Sequence, residues 1–74
     1  MRVTIRYGTG NETTTEFPDG TTLSDVIGNP NVRGLLGYGQ NVVGHIGGIP
    51  QQDSLTLFNG VVVEIHDKQS QKGS

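Results

Sequence analysis

The sequence predicts an α+β fold, in which a mixed sheet of four to five strands carries one short, kinked helix packed on one face. The chain has 74 residues, and its 12 glycines and 3 prolines favour short elements joined by tight turns. Alternating apolar residues mark strands near both ends, and one short helical pattern lies between them. Since a helical crossover separates the first strand from the last, these two strands can pair in parallel, which makes the sheet mixed.

The N-terminal part of the chain predicts a β-hairpin. In residues 2 to 7, Val3, Ile5 and Tyr7 alternate with polar residues, as is typical of a half-buried strand. A glycine-rich turn then separates this strand from the β-prone, threonine-rich residues 13 to 17. The hairpin is followed by a Pro-Asp-Gly turn.

A helix is predicted to begin after Thr22, whose hydroxyl can cap the first turn together with Asp25 three residues on. Leu23, Val26 and Ile27 then form one apolar stripe.

Pro30 interrupts this stripe, because the residue before a proline disfavours helical geometry. A second helical turn is expected to start at Pro30, with Val32, Leu35 and Leu36 on one face and Gly37 in the left-handed position at its end.

The C-terminal part predicts two further strands and an edge segment. Residues 41 to 46 alternate and end at a Gly-Gly turn, which indicates the third strand. Residues 49 to 58 contain Pro50 and few alternating apolar positions, so they are interpreted as an edge piece or an ordered loop. Residues 61 to 65 form the run richest in β-branched side chains and are the best candidate for the central strand.

Composition excludes several classes of function. The chain has no cysteine, which rules out disulfides, thiolate zinc sites and a cysteine nucleophile. Five basic residues against seven acidic ones give a net charge of -2, which argues against a nucleic-acid or membrane surface, and no apolar run has membrane-spanning length. The expected location is cytoplasmic, or within a particle assembled in the cytoplasm. No serine has a recognisable base partner and no glycine pair fits a phosphate loop, so we expect no enzymatic activity and no cofactor.

Four stretches of the chain resemble the β-grasp, or ubiquitin-like, superfamily, and most closely the sulfur-carrier proteins of thiamin and molybdopterin synthesis. The resemblance covers nearly the whole chain. The matching stretches are Val3-Thr4-Ile5, Gly20-Thr21-Thr22-Leu23-Ser24-Asp25-Val26, Ile46-Gly47-Gly48 and Leu57-Phe58-Asn59-Gly60-Val61-Val62-Val63-Glu64-Ile65.

The resemblance implies a β-grasp fold and, as one alternative, a sulfur carrier or ubiquitin-like modifier that an adenylating enzyme activates. That chemistry uses a flexible C-terminal di-glycine. This chain ends Lys72-Gly73-Ser74, so it departs from the pattern, and only trimming of Ser74 would expose Gly73. The chain is expected to form a single domain over residues 1 to 67, followed by a flexible polar tail over residues 68 to 74.

The preferred function is protein binding, since a sheet covered by a helix on one face leaves its other face open. Two valines, Val43 and Val62, are expected at the centre of this surface. The unpaired backbone of the second strand offers another route, because an edge strand can accept a strand from another chain. The candidate outer-face residues are Thr4, Arg6, Val43, His45, Val62, Glu64 and His66, and those of the edge strand are Thr13, Thr14 and Thr15.

His45 and His66 share the outer face with Glu64, and two histidines with a carboxylate can ligate zinc. No local ligand spacing supports such a site, so we expect ordinary solvent-facing or interface histidines and no metal. The protein is accordingly expected to act as an adaptor or as a subunit of a homo-oligomer or a larger assembly, including an accessory or cement component of a virion.

Overall fold

The structure, a computed structural model, describes residues 1–68 and contains a five-stranded sheet with two short helices on one face. The expected C-terminal tail and its Gly73 therefore lie outside the described residues, apart from Lys68. The elements are β1 (Arg2–Tyr7), β2 (Glu12–Glu16), α1 (Leu23–Ile27), α2 (Pro30–Leu36), β3 (Val42–Ile46), β4 (Ile49–Pro50) and β5 (Val61–Asp67).

The strand order across the sheet is β2-β1-β5-β3-β4. The first and last strands pair in parallel, whereas β2 pairs with β1, and β3 with β5 and β4, in antiparallel fashion. The β-branched run of β5 is therefore the central strand, and the prediction of a mixed α+β sheet is confirmed. A continuous apolar inner face requires this alternation of side chains, and β5 supplies it.

The core lies between the inner face of the sheet and the two helices. β1 and β5 contribute alternate residues to it, and each helix contributes the residues on its apolar stripe. Its buried members are Val3, Ile5, Leu23, Val26, Val32, Leu36, Tyr38, Val42, Leu57, Val61, Val63 and Ile65.

The expected kinked helix is divided into two helices by extended backbone at Asn29, with φ -68° and ψ 121°. α1 begins with the expected capping box, in which Thr22 accepts from the Asp25 amide and the Asp25 carboxylate accepts from the Thr22 amide. α2 ends at Gly37, whose φ of 81° is the left-handed conformation that glycine adopts without strain.

The expectation that Leu35 shares the buried face of α2 is wrong, because its side chain is 70% exposed. Val32 and Leu36, one turn apart, point into the core instead. Consecutive residues of a helix are turned by about 100° from one another, so burial of Leu36 carries Leu35 towards solvent.

The segment after the Gly47-Gly48 turn is mostly loop, with only two residues in the edge strand β4. The loop is anchored at the start of α1 by hydrogen bonds from the Leu23 amide to the Leu55 carbonyl and from the Leu57 amide to the Thr21 carbonyl, at 2.9 and 3.0 Å. Leu57 closes this end of the core, and Leu55 packs against it partly buried. Among residues 1–68, no helix is long and apolar enough to cross a membrane.

Candidate functional site

The face of the sheet opposite the helices, called the outer face below, carries every residue that the sequence assigned to it. Strand alternation accounts for this placement, because the neighbours of each buried residue on β1, β3 and β5 point to the other side. The register then brings residues of different strands into rows. The outer-face residues are Thr4, Arg6, Val43, His45, Val62, Glu64 and His66.

One row crosses four strands and consists of Glu12, Arg6, Glu64 and His45, each directly opposite the next. The Arg6 Nε lies 2.8 Å from Glu12 Oε1, and its Nη1 lies 3.9 Å from Glu64 Oε2. The Arg6 guanidinium thus links the two carboxylates. Since all three side chains are substantially exposed, these ion pairs organise the surface more than they stabilise the fold.

The two histidines meet at the end of this row. The ring centroids of His45 and His66 lie 4.3 Å apart with an interplanar angle of 65°, which is an edge-to-face contact. The His66 Nε2 also lies 3.9 Å from Glu64 Oε1. The alternation of side chains along each strand predicts that both histidines lie on one face. Their contact, however, depends on the register of β3 against β5.

His45 is the more deeply set of the two rings. Its Nδ1 is buried and has no hydrogen-bond partner among residues 1–68, so no hydrogen bond within this part of the chain compensates for its desolvation. Within the same residues, no group of three or more histidine, aspartate or glutamate side chains is placed to hold a metal ion. His66 thus contacts both His45 and Glu64.

The two valines of the outer face do not lie side by side, because Val43 is opposite His66, four residues along β5 from Val62, and the Glu64–His45 row lies between them. Val62 is 38% exposed and Val43 is half-buried. Val62 lies opposite Thr4, whose hydroxyl is 3.0 Å from the hydroxyl of Thr14 on the next strand. Val62 is thus bordered by a threonine pair on one side and by the charged row on another.

A depression of about 550 Å³ adjoins the charged row. It is bounded by the hairpin turn, residues 8 to 11, and by the side chains of Arg6, Glu12, Glu64 and His66. Sequence reasoning did not include Glu12 or the turn in the candidate surface. The signal that could have found Glu12 is its place in the hairpin, opposite Arg6.

The second candidate surface is the edge strand β2, which pairs with β1 on one side only among the described residues. Thr13 and Thr15 are half-buried on the inner side, while Thr14 is exposed on the outer side together with Glu12 and Glu16. The predicted edge position of this strand is confirmed by the strand order.

A tyrosine pair closes the inner face near the ends of β1 and β5. The Tyr7 hydroxyl donates to the Asp67 carboxylate at 2.9 Å, and this hydrogen bond, with burial and the Asp67 charge, raises the pKa of the Tyr7 phenol above 10.0. The Tyr38 ring lies 5.6 Å from that of Tyr7, and its hydroxyl donates to the Ile27 carbonyl at 2.7 Å.

Burial raises the pKa of Tyr38 as well, and the positive charge of Arg33 partly opposes that rise. The Arg33 guanidinium carbon lies 5.9 Å from the centre of the Tyr38 ring, within the range of a cation–π contact.

Comparison with known proteins identifies the type of fold. No protein-family model and no curated protein sequence matches the chain. Among solved structures, the chain is similar to the solution structure of a computationally designed protein based on the template of human erythrocytic ubiquitin, with a TM-score of 0.67 and 16% identity. The match covers 96% of this chain and 95% of the designed one. A likeness at this identity concerns the backbone, and from it we conclude that the chain has a ubiquitin-like fold.

Proposed function

We propose that the protein is a small, non-enzymatic ubiquitin-like protein that binds other proteins through the outer face, as an adaptor or as a subunit of a larger assembly. The observation that carries this proposal is the exposed Val62, which is bordered by the charged row of Arg6 and Glu64, with the histidine pair and the half-buried Val43 beyond that row. Apolar residues surrounded by a polar rim are the usual anatomy of a protein interface.

The placement of the helices supports the same proposal. Both helices pack on the inner face and supply buried residues there, and no helix of residues 1–68 covers the outer face. The outer face is also held in register by three paired strands, so that its side chains are positioned before a partner arrives. A partner would therefore meet a preformed surface.

The aromatic and charged residues supply specificity in this proposal. An edge-to-face histidine pair offers ring surface together with polar nitrogen atoms, and Arg6 retains donors beyond those used by the two glutamates. A partner that buries Val62 would place its own polar groups against this frame. The depression beside Glu12 and Glu64 could receive a protruding side chain of that partner.

Substitution of single outer-face residues tests the proposal. Val62→Asp or His45→Asp should abolish partner capture while the domain remains folded, because these side chains lie outside the core. Leu35→Asp is a matched control, since Leu35 is an exposed apolar residue on a helix of the opposite face. Native mass spectrometry of the protein isolated from its own source would measure the bound partner and its stoichiometry. Equal capture by the wild type, Val62→Asp and His45→Asp would contradict the outer-face proposal.

The second candidate function is that of a sulfur carrier or ubiquitin-like modifier. It is favoured by the segments that carry the resemblance, because they occupy the start of α1, the turn after β3 and the entry into β5 of a ubiquitin-like fold. The same mass spectrum distinguishes the two candidates. A chain ending at Gly73, a mass shift for replacement of oxygen by sulfur, or an isopeptide adduct would support the carrier function. An intact Ser74 within a stoichiometric assembly would support the binding function.

A further inference from the structure

The free edge of β2 carries a regular set of unpaired backbone groups. Met1 and Phe17 exchange two hydrogen bonds, at 2.7 and 2.8 Å, at the start of the β1–β2 ladder. In an antiparallel pair, residues that bond to the opposite strand alternate with residues whose backbone groups point away. Counting back from Phe17, the amides and carbonyls of Glu16, Thr14 and Glu12 therefore point away from β1.

These outward groups have no backbone hydrogen bond to another residue in the described part of the chain. No proline lies within β2, although proline is one of the devices that commonly prevent strand addition. An extended segment can thus continue the sheet beyond β2 by bonding to three successive outward residues. Strand addition of this kind derives its affinity from the main chain and its specificity from alternate side chains.

The side chains of β2 determine which residue types suit the added segment. Glu12, Thr14 and Glu16 all point to the outer side, so two carboxylates flank a hydroxyl, with a spacing of about 13 Å between the first and the last. The glutamates are 50% and 70% exposed, and their contacts with Arg6 and Arg2 are exposed ion pairs that contribute little. Glu16 also lies 3.8 Å from the N-terminal amine. Basic residues of an added strand opposite these positions would form favourable cross-strand pairs.

A second copy of this chain does not fit the same edge. Antiparallel pairing of two β2 strands about Thr14 would set Glu12 of each copy against Glu16 of the other, and parallel pairing in register would set each glutamate against itself. Like charges directly opposite one another destabilise a strand pair. The charge pattern therefore favours a different chain with basic residues.

On the basis of these observations, we propose that the edge of β2 binds an extended segment of a partner protein that has basic residues on either side of a small polar residue, at alternate positions. The pattern reads the same in both directions, so it applies to parallel and antiparallel addition. The intervening residues of the segment face the inner side, where Thr13 and Thr15 are half-buried and α2 contacts β2. Small apolar residues suit those positions. The backbone groups of this site lie at the sheet edge, and its side chains Glu12 and Thr14 also border the outer face. Strand addition at the edge does not depend on partner capture by Val62.

Titration of the isotope-labelled protein with a synthetic peptide, followed by amide NMR spectra, tests the proposal. The probe is Gly-Ser-Lys-Val-Thr-Val-Lys-Ser-Gly, and the matched control replaces both lysines by glutamate. Shifts and slowed deuterium exchange are expected at the amides of Glu12, Thr14 and Glu16, with about tenfold tighter binding of the lysine peptide, since two attractive pairs replace two repulsive ones.

Charge reversal in the protein provides the decisive variant. In Glu12→Lys/Glu16→Lys, the preference should invert, so that the glutamate peptide binds more tightly. Thr14→Pro removes the central outward amide and should abolish binding of either peptide, whereas Thr14→Ala should retain it. If Thr14→Pro fails to fold, the charge-reversed variant still decides the question.

The proposal would be overturned by no change at the β2 amides, by equal affinity for both peptides, or by a dimer of the unliganded protein joined through β2. Shifts confined to Val43, Val62 and His66 would also overturn it, while leaving the outer-face function intact. Conversely, Val62→Asp should not alter peptide binding at β2, so failure of one site can be separated from failure of the other.

Discussion

A Cβ atom placed on Gly44 would lie 2.9 Å from both terminal methyl carbons of Leu23. Leu23 is the first residue of α1 and is fully buried, and Gly44 occupies an inward position on β3. The absence of a side chain at Gly44 thus creates the space into which Leu23 packs. The Ile27 Cδ1 atom, 3.2 Å from the same point, fills the rest of that space.

Gly44→Ala is expected to destabilise the protein by about 1–3 kcal/mol, because a methyl group at this point overpacks the core and forces the buried Leu23 side chain to move. Urea denaturation monitored by circular dichroism would measure the change. Gly39→Ala is the control, since a Cβ atom there meets nothing within 4 Å. In Gly44→Ala/Leu23→Val, part of the loss should be recovered relative to the sum of the single variants. Strict additivity would show that the two residues do not share this space.

Gly34→Ala is expected to stabilise the protein by about 0.5–1 kcal/mol, because Gly34 lies within α2 and alanine restricts the unfolded chain more than glycine does. A Cβ atom at this position meets nothing within 4 Å. Thermal denaturation would report the gain.

Gly37→Ala provides the opposite test three residues on. Its φ of 81° is strained for alanine, so this variant should be less stable than the wild type by about 1–2 kcal/mol. The same sign for both variants would contradict the assignment of Gly34 to the helix and Gly37 to its left-handed end.

Elements of the fold could be predicted from the sequence where the local residue pattern and the packing of the whole domain require the same structure. The alternation of Val3 and Ile5, the β-branched run of β5 and the capping pair of Thr22 and Asp25 each specify an element within a few residues. The side of α2 that faces the core could not be predicted in this way. Its apolar residues include both Leu35 and Leu36, and only the packing of α2 against the sheet determines which of them is buried.

The membership of the outer face could also be predicted, because strand alternation alone places His45, Glu64 and His66 on one side. The contacts between these residues could not, since they depend on which residue of β3 lies opposite which residue of β5. The same holds for Glu12, which joins the charged row only through the register of the hairpin. Sequence periodicity predicts which face of a strand each side chain lies on. The register of a strand, by contrast, is set only when it pairs with its neighbours in the sheet.

Asn29→Ala is expected to cost about 1 kcal/mol, because the Asn29 side chain caps α2. Its Oδ1 accepts hydrogen bonds from the amides of Asn31 and Val32, at 2.9 and 3.2 Å, which otherwise have no partner at the start of the helix. Asn29→Asp retains the acceptor and should preserve stability. Equal losses in the alanine and aspartate variants, measured by urea denaturation, would show that the cap does not act through Oδ1.

The two tyrosines are expected to make stability fall at alkaline pH. The fold raises the pKa of both Tyr7 and Tyr38 above the ordinary value of 10.0, so the unfolded chain loses its phenol protons first as the pH rises. The corresponding stabilisation is complete below about pH 10 and is lost as the pH rises through the folded-state pKa values. Ultraviolet absorbance of the phenolate would follow the titration of each tyrosine separately, in a Tyr7→Phe variant that retains Tyr38 and a Tyr38→Phe variant that retains Tyr7.

Asp67→Ala should lower the pKa of Tyr7 by removing both its hydrogen bond and the adjacent negative charge, while the titration of Tyr38 remains unchanged. A Tyr7 titration that does not respond to Asp67→Ala would show that the carboxylate does not hold the phenol proton.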